Sequence, residues 1–264
     1  MYNFSYHRPS SLADALSLLA SHEDAKLLAG GMTYLPTLKQ RLAQPSDLID
    51  LGAVAELKGV KEEGGGLTIG AMTRHADVAG SGVVKRVIPS LAALAELIGD
   101  PQVRNRGTIG GSISNNDPAA DYPGALLALG ATVRTNQREI PADDFFTGMF
   151  ETALGRDEIV TAVHFPKPEK GAYVKFPNPA SRYSMVGVYV ARTGGTVRVA
   201  VTGAGPTAFR WVDAENALAR DFSAKALDGL KVAADGLNAD LHASAEYRAH
   251  LIKVMAKRAL DAFA

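Results

Sequence analysis

The sequence predicts an α+β protein built from three units, at residues 1–57, 58–168 and 172–264. Three observations lead to this prediction. The chain begins with a strand–turn–helix–strand pattern, which is typical of parallel strands joined by a right-handed crossover. The segment PKPEKG at 166–171 combines two prolines, charges and a glycine, which indicates a domain boundary. Three strands with hairpin spacing follow that boundary, and helices follow the strands.

The first unit shows clear helix and strand signals. A serine at 10 or 11 can cap a helix whose apolar residues share one face. Proline is tolerated in the first turn of a helix, so Pro36 fits a second helix, which Pro45 is expected to end. The predicted elements are a helix from residue 12, a strand at 26–29, a helix at 33–44 and a strand at 47–51.

The second unit alternates short strands and helices around a segment rich in glycine and small polar residues. That segment, 103–123, is predicted to be an ordered loop rather than a linker, because Ile109 and Ile113 interrupt it. The other predicted elements are strands at 67–69, 131–135 and 158–165, helices at 74–80 and 88–98, and a further element at 126–129.

The sequence of the third unit predicts three strands followed by helices. The last helix is rich in alanine and amphipathic. Trp211 is expected in the core or at an interface. The predicted elements are strands at 173–176, 185–192 and 196–201, and helices at 213–220, 223–236 and 244–263.

Composition excludes several classes of function. The chain has 28 Lys and Arg against 28 Asp and Glu, so it lacks the basic excess of a nucleic-acid-binding protein. It has no cysteine, which excludes disulfides, a zinc–thiolate site, an iron–sulfur cluster on this chain and a cysteine nucleophile. No apolar run approaches the ~20 residues of a membrane span, and the first residues lack the apolar core of a signal peptide. We therefore expect a soluble cytoplasmic protein.

Two glycine-rich segments are the main functional signal. In LLAGGMTYL, residues 27–35, two glycines lie between a predicted strand and the start of a helix. Unpaired backbone N–H groups at such a position can bind an anion, and glycine lets the backbone approach a phosphate closely. A tight turn that only needs a positive φ would show the same pattern, so this segment alone leaves both interpretations open.

The second segment, RNRGTIGGSISNNDPAADYP at 104–123, repeats this arrangement with three glycines. Its N–H groups, hydroxyls and carboxylates suit a diphosphate together with a ribose or ribityl chain. A structural loop held by side-chain turns is the alternative. Two such segments in one chain fit a dinucleotide whose pyrophosphate lies between them.

Other motifs in the chain predict no catalytic or metal site. TGAGPTA at 202–208 matches a weak G-x-G-x-x-A pattern, but Pro206 removes an N–H, and too few residues follow for a dinucleotide-binding sheet. The six histidines lack the spacing of metal ligands. We expect His75 to lie on the surface, although it could approach a cofactor. Asp143 and Asp144 are expected at a loop or helix start.

Four segments, together with VAVTGAGPTA at 199–208, resemble the FAD-binding medium subunit of the molybdenum hydroxylases, the family of aerobic carbon monoxide dehydrogenase and xanthine dehydrogenase. The resemblance covers essentially the whole chain. It implies an FAD-binding domain of the vanillyl-alcohol-oxidase (PCMH) type in two lobes, 1–57 and 58–168. A C-terminal domain at 172–264 with a small antiparallel sheet and helices would follow. The four segments are LLAGGMTYL, LTIGAMTRHADV, VRNRGTIGGSISNNDPAADYPGALLAL and FFTGMFETALGRDEIVTAVHFP.

The resemblance also implies which residues contact FAD. The two glycine-rich segments match the pyrophosphate loops, and Asp121 matches a polar anchor downstream. Ile98 and Val160 match apolar positions that flank the cofactor, and Lys175 matches a lysine near it. Met32 replaces a polar residue that is common in the family, so only its backbone could serve. The implied residues are Leu28, Ala29, Gly30, Gly31, Met32, Thr33, Tyr34, Ile98, Thr108, Gly110, Gly111, Ser112, Asp121, Val160 and Lys175.

The function implied by the resemblance is electron transfer. Such a subunit binds FAD, here non-covalently, takes electrons from the clusters of a small 2Fe–2S subunit and passes them to an external acceptor. Substrate is oxidised on a large molybdopterin-binding subunit, and the assembly would be a dimer of heterotrimers. Electron delivery needs no acid or base, which agrees with the lack of a catalytic motif. The alternatives are a self-sufficient FAD-dependent reductase or oxidase of the same fold, and a binding module without flavin.

Overall fold

The first unit contains a three-stranded parallel sheet, in which the two predicted strands pair as expected and a third strand, Ser5–His7, was not predicted. A computed structural model describes residues 1–263. Ser11 caps the first helix, its hydroxyl accepting a hydrogen bond from the backbone N–H of Asp14. The strands lie in the order β1–β3–β2. The elements are β1 (Ser5–His7), α1 (Leu12–Ser21), β2 (Lys26–Leu28), α2 (Tyr34–Lys39) and β3 (Asp47–Asp50).

Helix α2 is shorter than the sequence predicts, and Pro45 does not end it. Arg41 adopts a left-handed conformation with a φ of 58°. The N–H of Leu42 donates to the carbonyl oxygen of Thr37, and that of Arg41 donates to Leu38. These two bonds form a Schellman motif, which satisfies the last helical carbonyl groups. Two 3-10 turns, Leu51–Ala53 and Ala55–Leu57, lead to the next unit.

The second unit is a five-stranded antiparallel sheet in the order β4–β5–β10–β6–β7, with helices packed against it. Strands β4, β7, β8 and β9 and helix α4 were not predicted, and β8 pairs with β9 in a separate two-stranded sheet. The strands are β4 (Val60–Glu63), β5 (Gly66–Gly70), β6 (Thr132–Thr135), β7 (Glu139–Pro141), β8 (Phe146–Gly148), β9 (Glu151–Thr152) and β10 (Val160–Pro166). The helices are α3 (His75–Gly80), α4 (Gly82–Val87), α5 (Pro89–Glu96), α6 (Pro101–Arg104), α7 (Ile109–Asn115), α8 (Tyr122–Leu129) and α9 (Ala142–Phe145).

The prediction of a loop at 103–123 is wrong, because α6, α7 and the start of α8 occupy much of it. Thr108 caps α7 through a bond from the N–H of Gly111 to its hydroxyl. Glycine in this helix permits close packing, since a Cβ at Gly110 would lie 2.6 Å from that of Ala71. Tertiary contact thus outweighs the low helix propensity of glycine. Asn116 ends α7 in a left-handed conformation.

The third unit is a four-stranded antiparallel sheet, β11–β12–β13–β14, with helices on one face. The prediction of a helix at 223–236 is wrong. This segment contains only a 3-10 turn at Ala224–Leu227, and the side chain of Lys253 donates to the carbonyl oxygens of Asp228 and Leu230. The elements are β11 (Lys170–Pro177), β12 (Ser184–Thr193), β13 (Thr196–Thr202), β14 (Phe209–Arg210), α10 (Val212–Arg220) and α11 (Ala245–Asp261).

The sheet of the third unit is buried on both faces. One face packs against α5 and α8 of the second unit, where the hydroxyls of Ser90 and Tyr189 lie 2.6 Å apart. The other face packs against α10 and α11, in a core that includes Trp211. The expectation that Trp211 lies in the core is thereby met. This packing holds the second and third units against each other.

Candidate functional site

One cleft collects nearly all the residues predicted to bind a cofactor. It has a volume of about 480 Å³, and residues of all three units line it. Of the predicted set, Lys175 is the residue that does not line the cleft. The predicted residues that do are Leu28, Ala29, Gly30, Gly31, Met32, Thr33, Tyr34, Ile98, Thr108, Gly110, Gly111, Ser112, Asp121 and Val160.

The first glycine-rich segment forms an anion-binding turn. It connects β2 to α2, and Gly31 has a φ of 74°, which glycine adopts without strain. Within residues 1–263, no protein acceptor receives the backbone N–H groups of Gly30, Gly31 and Met32. Successive free N–H groups around a left-handed residue form a concave site for an anion. The geometry therefore fits a phosphate group.

Close contact between the two glycine-rich segments explains Gly30. A Cβ at Gly30 would lie 2.7 Å from the Cα of Gly107, and closer still to the carbonyl oxygen of Arg106. Gly107 in turn leaves no room for a Cβ, which would lie 2.5 Å from Nε2 of His75. These glycines therefore bring the two segments together to form one wall of the cleft.

The second segment offers fewer backbone donors than its sequence suggests. The N–H of Ile109 donates to Thr73, and the N–H of Gly110 donates to Ala71. The N–H of Gly111 reaches the Thr108 hydroxyl at 3.2 Å, and Gly111 is helical rather than at a positive φ. Ser112 lines the cleft together with the N-terminal residues of α7.

Asp121 joins the cleft to the third unit. Its carboxylate accepts hydrogen bonds from the hydroxyl of Tyr173, at 2.5 Å, and from the ammonium of Lys175. Lys175 also donates to the carbonyl oxygens of Leu97 and Arg182. Burial raises the pKa of Asp121, and the charge of Lys175 opposes that rise. Lys175 thus lies behind the cleft wall and holds Asp121 and the neighbouring loop.

His75 is buried at the cleft, which corrects the expectation of a surface histidine. Its side chain is 5% exposed and its ring lies 5.4 Å from that of Tyr122, measured between centroids. Burial, together with the charge of Arg104, lowers the pKa of His75 to about 4. The imidazole is therefore neutral at pH 7. Its Nδ1 has no hydrogen-bond partner among the described residues.

A loop of the third unit completes the cleft, and sequence reasoning missed it. Ser181, Arg182 and Tyr183 of this loop line the cleft. Asn178 shapes this loop by accepting hydrogen bonds from the N–H groups of Ala180 and Ser181. The loop has no glycine cluster, so only its position in the tertiary structure identifies it. Leu51, Asn115 and Asp117 also line the cleft without having been predicted.

The TGAGPTA turn has a structural role, in agreement with its rejection as a nucleotide site. Gly203 has a φ of 83° and its N–H donates to the carbonyl oxygen of Pro118. Neither Gly203 nor Gly205 lines the large cleft. The nucleotide-like pattern thus comes from a turn that packs against the second unit.

Two family models match adjacent parts of the chain. The FAD binding domain in molybdopterin dehydrogenase matches residues 2–168, and the CO dehydrogenase flavoprotein C-terminal domain matches residues 172–263. In the described part of the chain, residues 1–263, every helix is too short or too polar to cross a membrane. FAD is thus the cofactor that the family indicates, and the free N–H groups of the turn at 30–32 fit a phosphate group of it.

Relatives of the same length agree with this match. The carbon monoxide dehydrogenase medium chain of Hydrogenophaga pseudoflava is 38% identical, over 98% of this chain and 96% of the relative. The xanthine dehydrogenase FAD-binding subunit of Escherichia coli O157:H7 is 33% identical, over 99% and 96%. A solved structure of quinoline 2-oxidoreductase from Pseudomonas putida 86 contains a chain that superposes with a TM-score of 0.89 at 30% identity, over 99% and 96% of the two chains. These relatives are parts of oxidoreductases, and this chain belongs to the family of FAD-binding medium subunits of molybdenum hydroxylases.

Proposed function

We propose that this chain is the electron-transfer subunit of a molybdenum hydroxylase. It would hold FAD between the clusters of a small 2Fe–2S subunit and an external electron acceptor. Substrate would be oxidised on a large molybdopterin-binding subunit. Relatives named as medium chains or medium subunits support this assignment of separate roles to separate subunits. FAD supplies the redox chemistry when bound, and the protein supplies binding, orientation and electrostatics.

The main support for this proposal is the turn at residues 30–32, whose backbone N–H groups are free. The free N–H groups of Gly30, Gly31 and Met32 would donate to oxygens of the pyrophosphate. Hydrogen bonds to a charged acceptor contribute about 1.5–3 kcal/mol each, so this turn can provide much of the affinity. The side chain of Met32 is partly exposed and adds no polar group, which leaves its backbone as the donor. Leu28, Ala29, Thr33 and Tyr34 would complete this wall.

The rest of the cleft has complementary chemistry. The Ser112 hydroxyl and the positive end of the α7 dipole favour a phosphate oxygen or a ribityl hydroxyl. Thr108 and Gly110 shape this end by capping and close packing. Ile98 and Val160 offer apolar surface for the flat ring systems.

Asp121 and Lys175 would act by holding the cleft wall in position. Their mutual hydrogen bonds leave them few free donors and acceptors for the cofactor. No side chain of this chain needs to act as an acid or base for the delivery of single electrons, and protons that the flavin takes up can come from water.

We further propose that the chain divides at 1–57, 58–168 and 172–264, with the first two parts forming the FAD domain. The separate sheets of the three parts and the ranges of the two family models support this division. We place the subunit in the cytoplasm, in a dimer of heterotrimers. The even balance of charge and the lack of a long apolar helix within residues 1–263 agree with this location.

Purification of the native assembly tests the proposal. We expect the chain to co-purify with a molybdenum subunit and an iron–sulfur subunit, and acid to release about one FAD per chain into the supernatant. Flavin that stays with the precipitate would contradict non-covalent binding, and release of FMN would contradict the pyrophosphate site. A chain isolated from native cells without partners, with turnover of its own, would favour the self-sufficient reductase or oxidase.

A further inference from the structure

A second group of chemically reactive side chains lies outside the cleft. His7, His22 and Asp47 each direct a ligand atom into one place, with those atoms within 4.8 Å of one another. His7 is the last residue of β1, His22 follows α1, and Asp47 begins β3. Strands β1 and β3 pair in parallel, with His7 opposite Ile49. The group therefore connects these two neighbouring strands to the end of α1.

His22 is oriented like a metal ligand. Its Nδ1 lies 2.9 Å from the carbonyl oxygen of Leu18, and a carbonyl only accepts, so Nδ1 carries the hydrogen. In the neutral imidazole Nε2 therefore presents a lone pair, and it lies 3.8 Å from Oδ1 of Asp47, beyond hydrogen-bond distance. A hydrogen bond from the second imidazole nitrogen to a carbonyl is the usual support of a ligating histidine.

Asp47 supplies the negative charge. The residue is 6% exposed, and its Oδ1 lies 2.7 Å from Nε2 of His7. Asp47 accepts a hydrogen bond from His7, and Nε2 of His22 lies beyond hydrogen-bond distance. A buried carboxylate requires a cationic or hydrogen-bonding partner. The bond from His7 meets part of this requirement, and a cation beside Asp47 would meet the rest.

We propose that His7, His22 and Asp47 form a binding site for a divalent transition-metal ion of the zinc class. Two imidazoles and one carboxylate are ligands that zinc accepts, and a three-ligand site keeps a position for water. The side chains of His7 and His22 are 27% and 35% exposed, which gives the ion and its water access. A metal ion between Asp47 and His22 would bind both groups.

The geometry requires only small movements. Bonds of ~2.1 Å in a tetrahedral site place neighbouring ligand atoms ~3.4 Å apart. The present separations from Oδ1 of Asp47 are 2.7 Å to His7 and 3.8 Å to His22, on either side of that value. On binding, the hydrogen of His7 would move to Nδ1 so that Nε2 is free to ligate. The ion would then join β1, the end of α1 and the start of β3.

Zinc titration of the untagged, FAD-loaded chain tests the site. Competition with a chromogenic chelator should show one Zn²⁺ per chain, and Zn²⁺ should raise the Tm. His22→Ala should weaken zinc affinity by more than the ~10–100-fold that follows loss of a supporting group outside the coordination sphere. It should also abolish the rise in Tm while FAD content and circular dichroism stay unchanged. Asp47→Asn should likewise abolish zinc binding.

His242→Ala is the matched control, because His242 is exposed and lies outside the group. This variant should bind zinc as the wild type does. Zinc binding that survives His22→Ala, or that His242→Ala reduces equally, would overturn the proposal. So would the lack of a one-to-one site in the wild type, which would leave His7 and Asp47 as an ion pair only.

Discussion

Substitution of Gly30 by alanine tests the contact between the two glycine-rich segments. Gly30 is not at a positive φ, so alanine adds no backbone strain. Its Cβ would lie 2.7 Å from the Cα of Gly107, and ordinary van der Waals contact begins at 3.4 Å. Both neighbouring groups belong to the backbone of 106–107 and cannot rotate away. The segments must therefore move apart.

Two effects follow from this movement. Overpacking costs about 1–3 kcal/mol of unfolding free energy. The shift also misaligns the N–H groups of Gly30, Gly31 and Met32, and loss of one hydrogen bond to a charged acceptor costs about 1.5–3 kcal/mol. Because 1.4 kcal/mol corresponds to a tenfold change, FAD affinity should fall by about 10- to 100-fold.

FAD titration by flavin fluorescence measures this loss, and circular dichroism verifies folding. Gly82→Ala is the matched control, because nothing lies within 4 Å of its Cβ and its φ is not positive. It should leave FAD affinity unchanged. Gly205→Ala, in the structural turn, should do the same. If folded Gly30→Ala binds FAD as the wild type does, or if Gly205→Ala loses FAD, our assignment of the cleft is wrong.

Two further predictions concern the ion pairs. Asp121→Ala should lower the free energy of unfolding by about 3–5 kcal/mol in urea denaturation, because it leaves the ammonium of Lys175, 4% exposed, without its partner. The double substitution Asp121→Leu, Lys175→Met should recover most of this loss. A small loss in Asp121→Ala would contradict the role of this pair in holding the cleft wall. The pKa of Glu158 is lowered from a usual value of 4.5 to about 2. Hydrogen bonds from Arg138 contribute most, followed by those from the N–H of Gly155 and the hydroxyl of Thr135, whereas burial opposes this decrease. The contribution of Glu158 is therefore present above pH 4.5 and lost as pH falls toward 2. In urea titrations at pH 7, 4 and 3, the free energy of unfolding should fall with pH by about 1.5–3 kcal/mol less in Glu158→Gln than in the wild type. An equal fall in both proteins would contradict this prediction.

Local sequence patterns predicted many of the elements. The serine cap of α1, the alternation of β10 and the long amphipathic α11 each appear within a short stretch of chain, because helix and strand periodicity reflect which face is buried. The failures also have a local cause. Glycine-rich α7 and the alanine-rich segment 223–236 have misleading propensities, which packing against Ala71 and bonds from Lys253 override.

The residues of the cleft were predicted from the glycine-rich segments and the resemblance, and the structure places all of them except Lys175 on one cleft. Their chemical roles were less predictable. The sequence offers N–H groups in both segments, but tertiary hydrogen bonds to Thr73 and Ala71 occupy those of Ile109 and Gly110. Only the assembled structure shows which donors remain free.

The sequence by itself determined the order of the units, the two glycine-rich segments and the family, because these depend on residue types at short spacing. The tertiary structure decided that His75 is buried, that Lys175 binds Asp121, and that the side chains of His7, His22 and Asp47 meet in one place. These contacts join residues far apart in the chain. Their partners are selected by the packing of separate elements, and single-sequence periodicity carries no information on that packing.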